Sequence, residues 1–458
     1  MKQGRTPLTY YRGAPGGRAL PLLALFSGAL YLSILHGACA VTLETVLRTT
    51  LEQNPAIQEA KSGLQQASGQ RLVFRSVVWP QAELGVPAGV QAGHRAGESG
   101  VKGFGVGRGS LDQVLFNMAV PPSLRRGDVE VLIAQQQLNV AVVEQLHAAR
   151  LAFYGALYNR GLQSIREDQR QRLDENVASQ KDRYEAGLTD RSAVTSATVQ
   201  ARELDSQIEA AHRAYAETRL KLAEAMGSNP SANAMLPEPE GELQFVPMTV
   251  DLDPETTAAL ERRADLKLAR LLVRAASDDQ RIIEAGYYPA VTGTITGTYI
   301  PVSGIHREGS TSATNDISSE IVEGAIYTWR VIDNGKVTGA VLKQRSTREI
   351  NELTCRKLEA SVGRDLLRIR NNLQAIEMRE KSLAAASAAA KESALLVQQN
   401  LVGGLASQFE YRLTQNGLLQ TESGLFDAIY QYNLALAEWD RVSGRYFQFS
   451  DDTAQNVH

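Results

Sequence analysis

At 458 residues the chain is about three times a typical domain, long enough for two or more units with a large core. Charged residues at 22% and hydrophobic ones at 43% exclude both a disordered acidic tail and a polytopic helical membrane protein, and aromatics at 6% disfavour a large sandwich or α/β enzyme core. A formal net charge of -3 excludes a strongly basic nucleic-acid binder.

The N-terminus reads as an export signal. Lys2, Arg5, Arg12 and Arg18 precede an apolar run from Ala19 to Leu35, and Ala38-Cys39-Ala40 offers small residues where a signal peptidase cuts. Cleavage is placed after Ala40, so residues 1–40 are the signal peptide. Cys39 raises a lipoprotein alternative, against which His36 stands where an aliphatic residue is expected. Cys355 is then the only thiol, which leaves no intramolecular disulfide and no cysteine metal cluster. No later segment approaches the ~18 apolar residues of a spanning helix.

Two regions further along alternate with period two. Ala82, Leu84, Val86, Ala88, Val90 and Ala92 form one stripe, and Thr292, Thr294, Thr296 and Thr298 form another between Val291, Gly293, Ile295, Gly297 and Tyr299. Each has the length of a tilted transmembrane strand with one oily and one wet face. Pro87 fits poorly in a paired strand. Partner strands are expected at Ser110–Val120 and Ile321–Ile332, joined by loops at Gly93–Gly109 and Ser303–Ser318. The threonine stripe is assigned to the wet face, the lumen of a barrel.

No proline lies between Ser123 and Asn229 or after Pro301, so long helices can run there. Leu366, Ile369, Leu373 and Ile376 keep a heptad-like spacing, as do Leu425, Ile429, Tyr432, Leu436 and Trp439. Val143, Leu146, Phe153 and Leu157 do the same in the first stretch, interrupted by Arg150 and Arg160. Each stretch has one internal punctuation, Ala186-Gly187-Leu188-Thr189-Asp190 and Val402-Gly403-Gly404-Leu405-Ala406-Ser407. Glycine ends a helix and a polar cap starts the next, and Ser407 with Glu410 spells a capping box. Each stretch is thus expected to be a long helical hairpin, with a first arm of about 60 residues, or roughly 90 Å.

A shift of 209 residues brings Leu51-Glu52 onto Leu260-Glu261, Ala60 onto Ala269, and Trp79-Pro80 onto Tyr288-Pro289. The chain divides into a first repeat at 41–227, a linker at 228–253, a second repeat at 254–446 and a tail at 447–458. Asp253-Pro254 is expected to cap and open the second repeat.

These features together resemble the TolC family of outer-membrane export factors. The carrying residues are Thr42-Leu43-Glu44 leading to Asn54-Pro55, the helix ending at Trp79-Pro80, and its repeat from Arg263-Ala264-Asp265-Leu266 to Tyr288-Pro289. Gln113-Val114-Leu115-Phe116-Asn117 and Trp329-Arg330-Val331-Ile332-Asp333-Asn334-Gly335 are similar to the family's strand-to-helix turn, and Arg183-Tyr184-Glu185-Ala186-Gly187-Leu188 to its hairpin turn. Ala119-Val120-Pro121-Pro122 departs from it. The resemblance implies a mixed α and transmembrane β fold: two tandem repeats, each two strands plus a helical hairpin, in a homotrimer with a 12-stranded barrel and a helical periplasmic tunnel. Physics alone requires some oligomer, since four strands cannot close a barrel and open edges do not occur in lipid.

The implied function is a passive exit duct in the bacterial outer membrane, extending into the periplasm. It would join a periplasmic adaptor and an inner-membrane pump, and carry small compounds (efflux) or secreted polypeptides (type I secretion). In the family the hairpin turns converge, which marks Gly187, Leu188, Gly404 and Leu405 as turn and adaptor-contact residues. Glu410 falls where related channels carry a pore aspartate, whereas Leu413 replaces a second acid. Asp190, Arg191 and Arg412 are candidate ion-pair members of a closed gate. For Glu410 the competing role is the helix cap; for the others it is weak exposed pairing. The alternative reading is a periplasmic coiled-coil adaptor or scaffold, which should show one hairpin rather than two. His94, His147, His212, His306 and His458 lack metal-ligand spacing, and no P-loop, G-x-S-x-G or H-E-x-x-H occurs. The glycine run at 103–109 has the wrong spacing for a nucleotide loop, and Arg166, Arg170 and Arg172 read as a solvated helix face. The expectation is no enzyme, no cofactor and no metal.

Overall fold

The computed structural model describes residues 40–95, 98–228, 236–305 and 314–450. The signal segment through Cys39, the loop centre at 306–313 and the tail from 451 lie outside the described residues. The first half opens with a two-residue strand β1 (Ala40–Val41), then α1 (Leu43–Gln53) and α2 (Pro55–Arg75). A segmented hairpin follows, β2 (Gln81–Gly85), β3 (Ala88–Arg95), β4 (Glu98–Gly105) and β5 (Gly107–Phe116). The long helix α3 (Val120–Glu185) then leads to α4 (Arg191–Glu203) and α5 (Asp205–Ala225). After a short strand β6 (Glu238–Pro239) the order recurs as α6 (Leu252–Arg262), α7 (Ala264–Glu284), β7 (Ala290–Ile305), β8 (Thr314–Thr328), α8 (Lys336–Val402) and α9 (Gln408–Val442). The paired helices α1/α6 and α2/α7 begin and end at the same 209-residue offset.

The local chemistry explains most boundaries. Thr42 caps α1 through its hydroxyl, and Asn54 caps α2 with Pro55 at the first helical position. The second repeat starts differently from the expectation. Its first helix begins at Leu252, with Asp251 at the cap, so Asp253 and Pro254 lie inside the first turn. That turn tolerates proline because its N–H groups have no helical acceptor. The same reason lets Pro121 and Pro122 start α3, which therefore begins at Val120 rather than as a strand end. At both strand-to-helix junctions an Asn or Asp side chain folds the chain back. Asn117 Oδ1 accepts from Ala119 N–H at 2.8 Å, and Asp333 accepts from Gly335 and Val337 at 3.0 and 2.7 Å. Asn334 and Gly335 both take positive φ there.

The expected loop Gly93–Gly109 is mostly strand. Pairs run from Gln81↔Asp112 to Gly85↔Arg108 and resume in the same register from Ala88↔Gly105 to Arg95↔Glu98. Pro87 breaks the ladder only locally: its carbonyl still accepts from Val106 N–H at 2.9 Å. In the second pair, the strands cover Ala290–Ile305 and Thr314–Thr328, so residues 329–332 fall after the strand and not within it. Period-two patterning marks where strands face two solvents, but glycine-rich continuations carry no such stripe.

With 66 and 67 residues, α3 and α8 are each roughly 100 Å long, rods rather than globular helices. The heptad positions Leu366, Ile369, Leu373 and Ile376 are buried with Tyr432, Ala435 and Trp439. Leu146, Phe153 and Leu157 are buried on α3. The two arginines that interrupt its pattern are both used. Arg150 pairs with Asp440 at 2.6 Å, and Arg160 donates to the carbonyls of Pro239 and Gly241 in the linker. Arg170 and Arg172 are not merely solvated: Arg170 pairs with Asp174 and with Asp205 at 2.8 Å, and Arg172 lies 3.6 Å from Glu422. The short arm of the first hairpin is broken at Leu204 into α4 and α5, whereas α9 runs unbroken for 35 residues.

Candidate functional site

Two places carry the features expected of a duct: the sheet and the tips of the helical hairpins. The sheet has four strands in the order β2-β5-β7-β8, so β5 of the first repeat pairs with β7 of the second. Because side chains alternate along strands, the register decides which residues share a face. Thr292, Thr294, Thr296 and Thr298 stand in line with Val114, Asp112, Ser110 and Arg108 on β5. Gln81 and Glu83 continue that face on β2, as do Glu320, Val322 and Ile326 on β8. The opposite face carries Val291, Ile295 and Tyr299, with Leu111, Ala82 and Leu84, and with Ile321, Ala325 and Tyr327. Among the described residues Glu323 is the one acid on this apolar face, opposite Ile295. At the helix-side end Trp79, Tyr287, Tyr288, Tyr327 and Trp329 are all exposed, the aromatic composition of a membrane–water boundary.

The helix layer repeats the order of the sheet. α2 packs on α3, α3 on α7, and α7 on α8. Both layers therefore end in the same elements, β2 over α2 on one side and β8 over α8 on the other. Exposed Leu342, Ile350 and Leu353 line the α8 side, and exposed Leu72 and Val73 lie on α2.

The two hairpin turns are built alike. Gly187 and Gly404 take φ of +71° and +75°, and Leu188 and Leu405 donate back to the carbonyls of Arg183 and Asn400 at 2.8 and 2.7 Å. This is the Schellman closure that glycine favours. It leaves Leu188 and Leu405 71% and 84% exposed, the most open apolar side chains of the tips. The helices that leave the turns differ. Ser407 and Glu410 form the complete capping box, with both Ser407 N–H and Oγ donating to Glu410 Oε2 at 2.7 and 3.0 Å. The Ser407 backbone bond and then its hydroxyl hold the Glu410 carboxyl below the usual glutamate range. Asp190 occupies the corresponding cap of α4, but its carboxylate accepts from Ser192 Oγ at 3.0 Å instead of the backbone.

Among the described residues no ion pair joins Asp190, Arg191 or Arg412 within one chain. Arg412 instead lies over the Phe409 ring, 5.7 Å from its centroid, because the turn that follows Ser407 points the two side chains the same way. Arg191 lines a separate groove with Lys181, Tyr184 and Val199. Asp190, Arg412, Gly404 and Ser407 border an open groove with about 1170 Å³ of empty space between the two tips. Arg183, which the sequence marked only as part of a turn string, spans the tips: its Nη1 donates to the carbonyls of Leu401 and Val402 at 2.9 and 2.6 Å. No sequence signal names those acceptors, since they are main-chain atoms more than two hundred residues away.

Among the described residues no group of three or more His, Cys, Asp or Glu could hold a metal ion, and no helix is long and apolar enough to cross a membrane. What the arrangement defines is a sheet with one wet and one oily face, set on helical rods. Solved structures share this fold. The outer membrane protein VceC from Vibrio cholerae is 17% identical with a TM-score of 0.73, over 88% of this chain and 96% of that one. The Campylobacter jejuni CmeC outer membrane channel is 13% identical with a TM-score of 0.76, over 91% and 88%. The open state of the Neisseria gonorrhoeae MtrE outer membrane channel is 15% identical with a TM-score of 0.68, over 88% of each chain. Residues 256–445 match the family model described as Outer membrane efflux protein. The second repeat thus matches the outer membrane efflux protein family, and the chain as a whole shares the fold of these outer-membrane channels. No curated protein matches it.

Proposed function

We propose that the chain is one subunit of a passive exit duct through the outer membrane, closed as a homotrimer around a 12-stranded barrel and continued by a helical tunnel in the periplasm. The observation that carries this reading is the sheet, polar on one face, apolar on the other and open at β2 and β8. Open edges are not tolerated in lipid, and roughly eight strands is the smallest useful barrel. A head-to-tail contact of the β8–α8 side with the β2–α2 side of the next copy closes both layers in one ring. The number three follows the family. The threonine face would then line the lumen, and the apolar face would meet lipid. An inner-membrane pump would supply the energy, and a periplasmic adaptor would engage the tips through Leu188 and Leu405. The family's description favours efflux of small compounds over polypeptide secretion.

The mature protein is expected to sediment in detergent as a heat-modifiable trimer and to form ion channels in planar bilayers. A detergent-free soluble monomer in the ultracentrifuge is the result that removes the barrel.

At the tips, three Glu410 carboxylates around one axis would attract cations and repel one another. Glu410→Gln is expected to lower cation selectivity and weaken block by multivalent cations while leaving assembly intact. A glutamine still accepts the Ser407 hydrogen bonds, so unchanged selectivity and block would leave Glu410 as a cap alone.

A further inference from the structure

Beyond α9 the chain forms a short strap. Gly444 takes φ of +72° and Arg445 N–H donates back to the Asp440 carbonyl at 2.9 Å, which closes α9 and carries residues 443–450 along α3. Asn139, buried on α3, grips the strap as a neighbouring strand would. Its Oδ1 accepts from Phe449 N–H at 2.8 Å and its Nδ2 donates to the Phe449 carbonyl at 3.1 Å. Tyr446 and Phe449 pack on Ile57, Leu138, Val142 and Leu146, so the strap covers the seam between α2 and α3.

The second hold is His147, which lies under the strap with 12% of its side chain exposed. Its Nδ1 is 3.3 Å from the Tyr446 hydroxyl, and its Nε2 is 3.4 Å from the Glu438 carboxylate on α9. Burial pushes the Tyr446 hydroxyl up to about 12, so it keeps its proton and donates it to a neutral Nδ1. The carboxylates around His147 already have cations. Arg441 pairs with Glu438 at 2.7 Å and with Glu144 at 3.1 Å, and Arg150 pairs with Asp440 at 2.6 Å. Arg445 of the strap pairs with Glu255 of α6 at 2.8 Å. Across a small cavity bordered by Glu144 and Arg441, Arg263 of α7 pairs with Asp265 at 2.7 Å. Arg368 of α8 adds to the field at Glu438.

We propose that residues 443–450 form a pH-sensitive clasp, docked while His147 is neutral and released when His147 takes up a proton. A proton on Nδ1 turns that nitrogen from acceptor to donor, so the Tyr446 O–H must turn away to the Ala437 carbonyl, 3.5 Å off. The new cation also stands beside Arg150 and Arg441, among acids that are already paired. Burial is the largest cause that holds the imidazole below its ordinary range; Arg441 and Arg150 add to it, and Glu438 and Glu144 oppose it. A released strap returns the imidazole to an ordinary value of about 6.5. The docked form therefore binds the proton less well than the released form, and docking weakens as pH falls below about 6.5. Against the cost of burial, Arg441 holds the Glu438 carboxyl below the usual glutamate range, so this acid stays charged across that window. His147 lies about 40 residues, or roughly 60 Å, along α3 from the Gly187 turn, so the clasp is separate from the hairpin tips and does not depend on the chain being a duct.

Hydrogen exchange of the full-length protein in detergent tests this, read by mass spectrometry on peptides that cover the Phe449 amide. Between about pH 7.5 and about pH 5, protection corrected for the intrinsic pH dependence of exchange should fall roughly tenfold in the parent. His147→Gln cannot take up the proton and should remove that response. If His147→Gln fails to fold, Glu438→Gln carries the test. Without that carboxylate the docked state holds the imidazolium less well, so the loss of protection in acid should exceed the parent's. Equal protection of the parent at both pH values overturns the clasp. So does a parental response in His147→Gln, or a loss in Glu438→Gln no greater than the parent's.

Discussion

Gly227→Ala should cost more than about 3 kcal/mol and prevent assembly, whereas Gly187→Ala should cost only about 1–2 kcal/mol. Both glycines have positive φ, +77° and +71°, so the conformational penalty of a Cβ is the same at each. The difference lies in what surrounds them. A Cβ on Gly187 meets nothing within 4 Å, while on Gly227 it falls 2.6 Å from the Gln53 carbonyl oxygen and 2.8 Å from the Asn54 Cα. Those are main-chain atoms and cannot rotate away, so overpacking adds to the strain. Asn54 is also fixed from other directions. It caps α2 at Ala56, and its Nδ2 donates to the Ala225 carbonyl at 2.9 Å and to Gln145 Oε1 at 3.1 Å. The end of the first hairpin is therefore tied to the joint between α1 and α2. Thermal unfolding in detergent, monitored by circular dichroism and by heat-modified migration, separates the two variants. Equal losses would mean that the contact at Gly227 is slack.

This contrast shows how far the sequence was legible. Glycine punctuation located both hairpin turns to the residue, because the αL requirement is local and leaves a residue-type signature. The same local logic found the Ser407–Glu410 box and the 209-residue duplication. It did not single out Gly227, since what crosses that glycine is the main chain of Gln53 and Asn54, far back in the sequence. Arg183 was missed for the same reason. The glycine-rich strand extensions at 93–95 and 98–109 carry no apolar stripe and so give no strand signal in the sequence, although they keep the register of the strands they extend. Within one chain Asp190, Arg191 and Arg412 form no ion pair with one another, since opposite charges close in sequence need not share a direction. Arg412 turns onto Phe409, and Arg191 faces a different groove.

Leu111→Arg should lower the stability of the assembled protein by about 2–4 kcal/mol, the depth-dependent cost of a cation on the lipid face of a barrel. Leu111 sits in an inner strand with Ala82 on one side and Ile295 on the other, so a guanidinium there finds no counter-charge across either ladder. Ile295→Arg belongs to the same face but should cost less. Its partner on β8 is Glu323, and an ion pair across the two strands offsets part of the loss. Thr294→Arg is one residue away and on the opposite face, beside Asp112. There the cation meets a carboxylate and water, so assembly should survive while conductance and cation preference fall. The sign of each effect depends only on strand parity, which a single-residue slip would invert. Assembly measured by heat-modified trimer migration, with single-channel conductance beside it, decides the matter. Should Thr294→Arg block assembly and Leu111→Arg pass unnoticed, the threonine stripe faces lipid and the register of the whole sheet relative to the membrane is reversed.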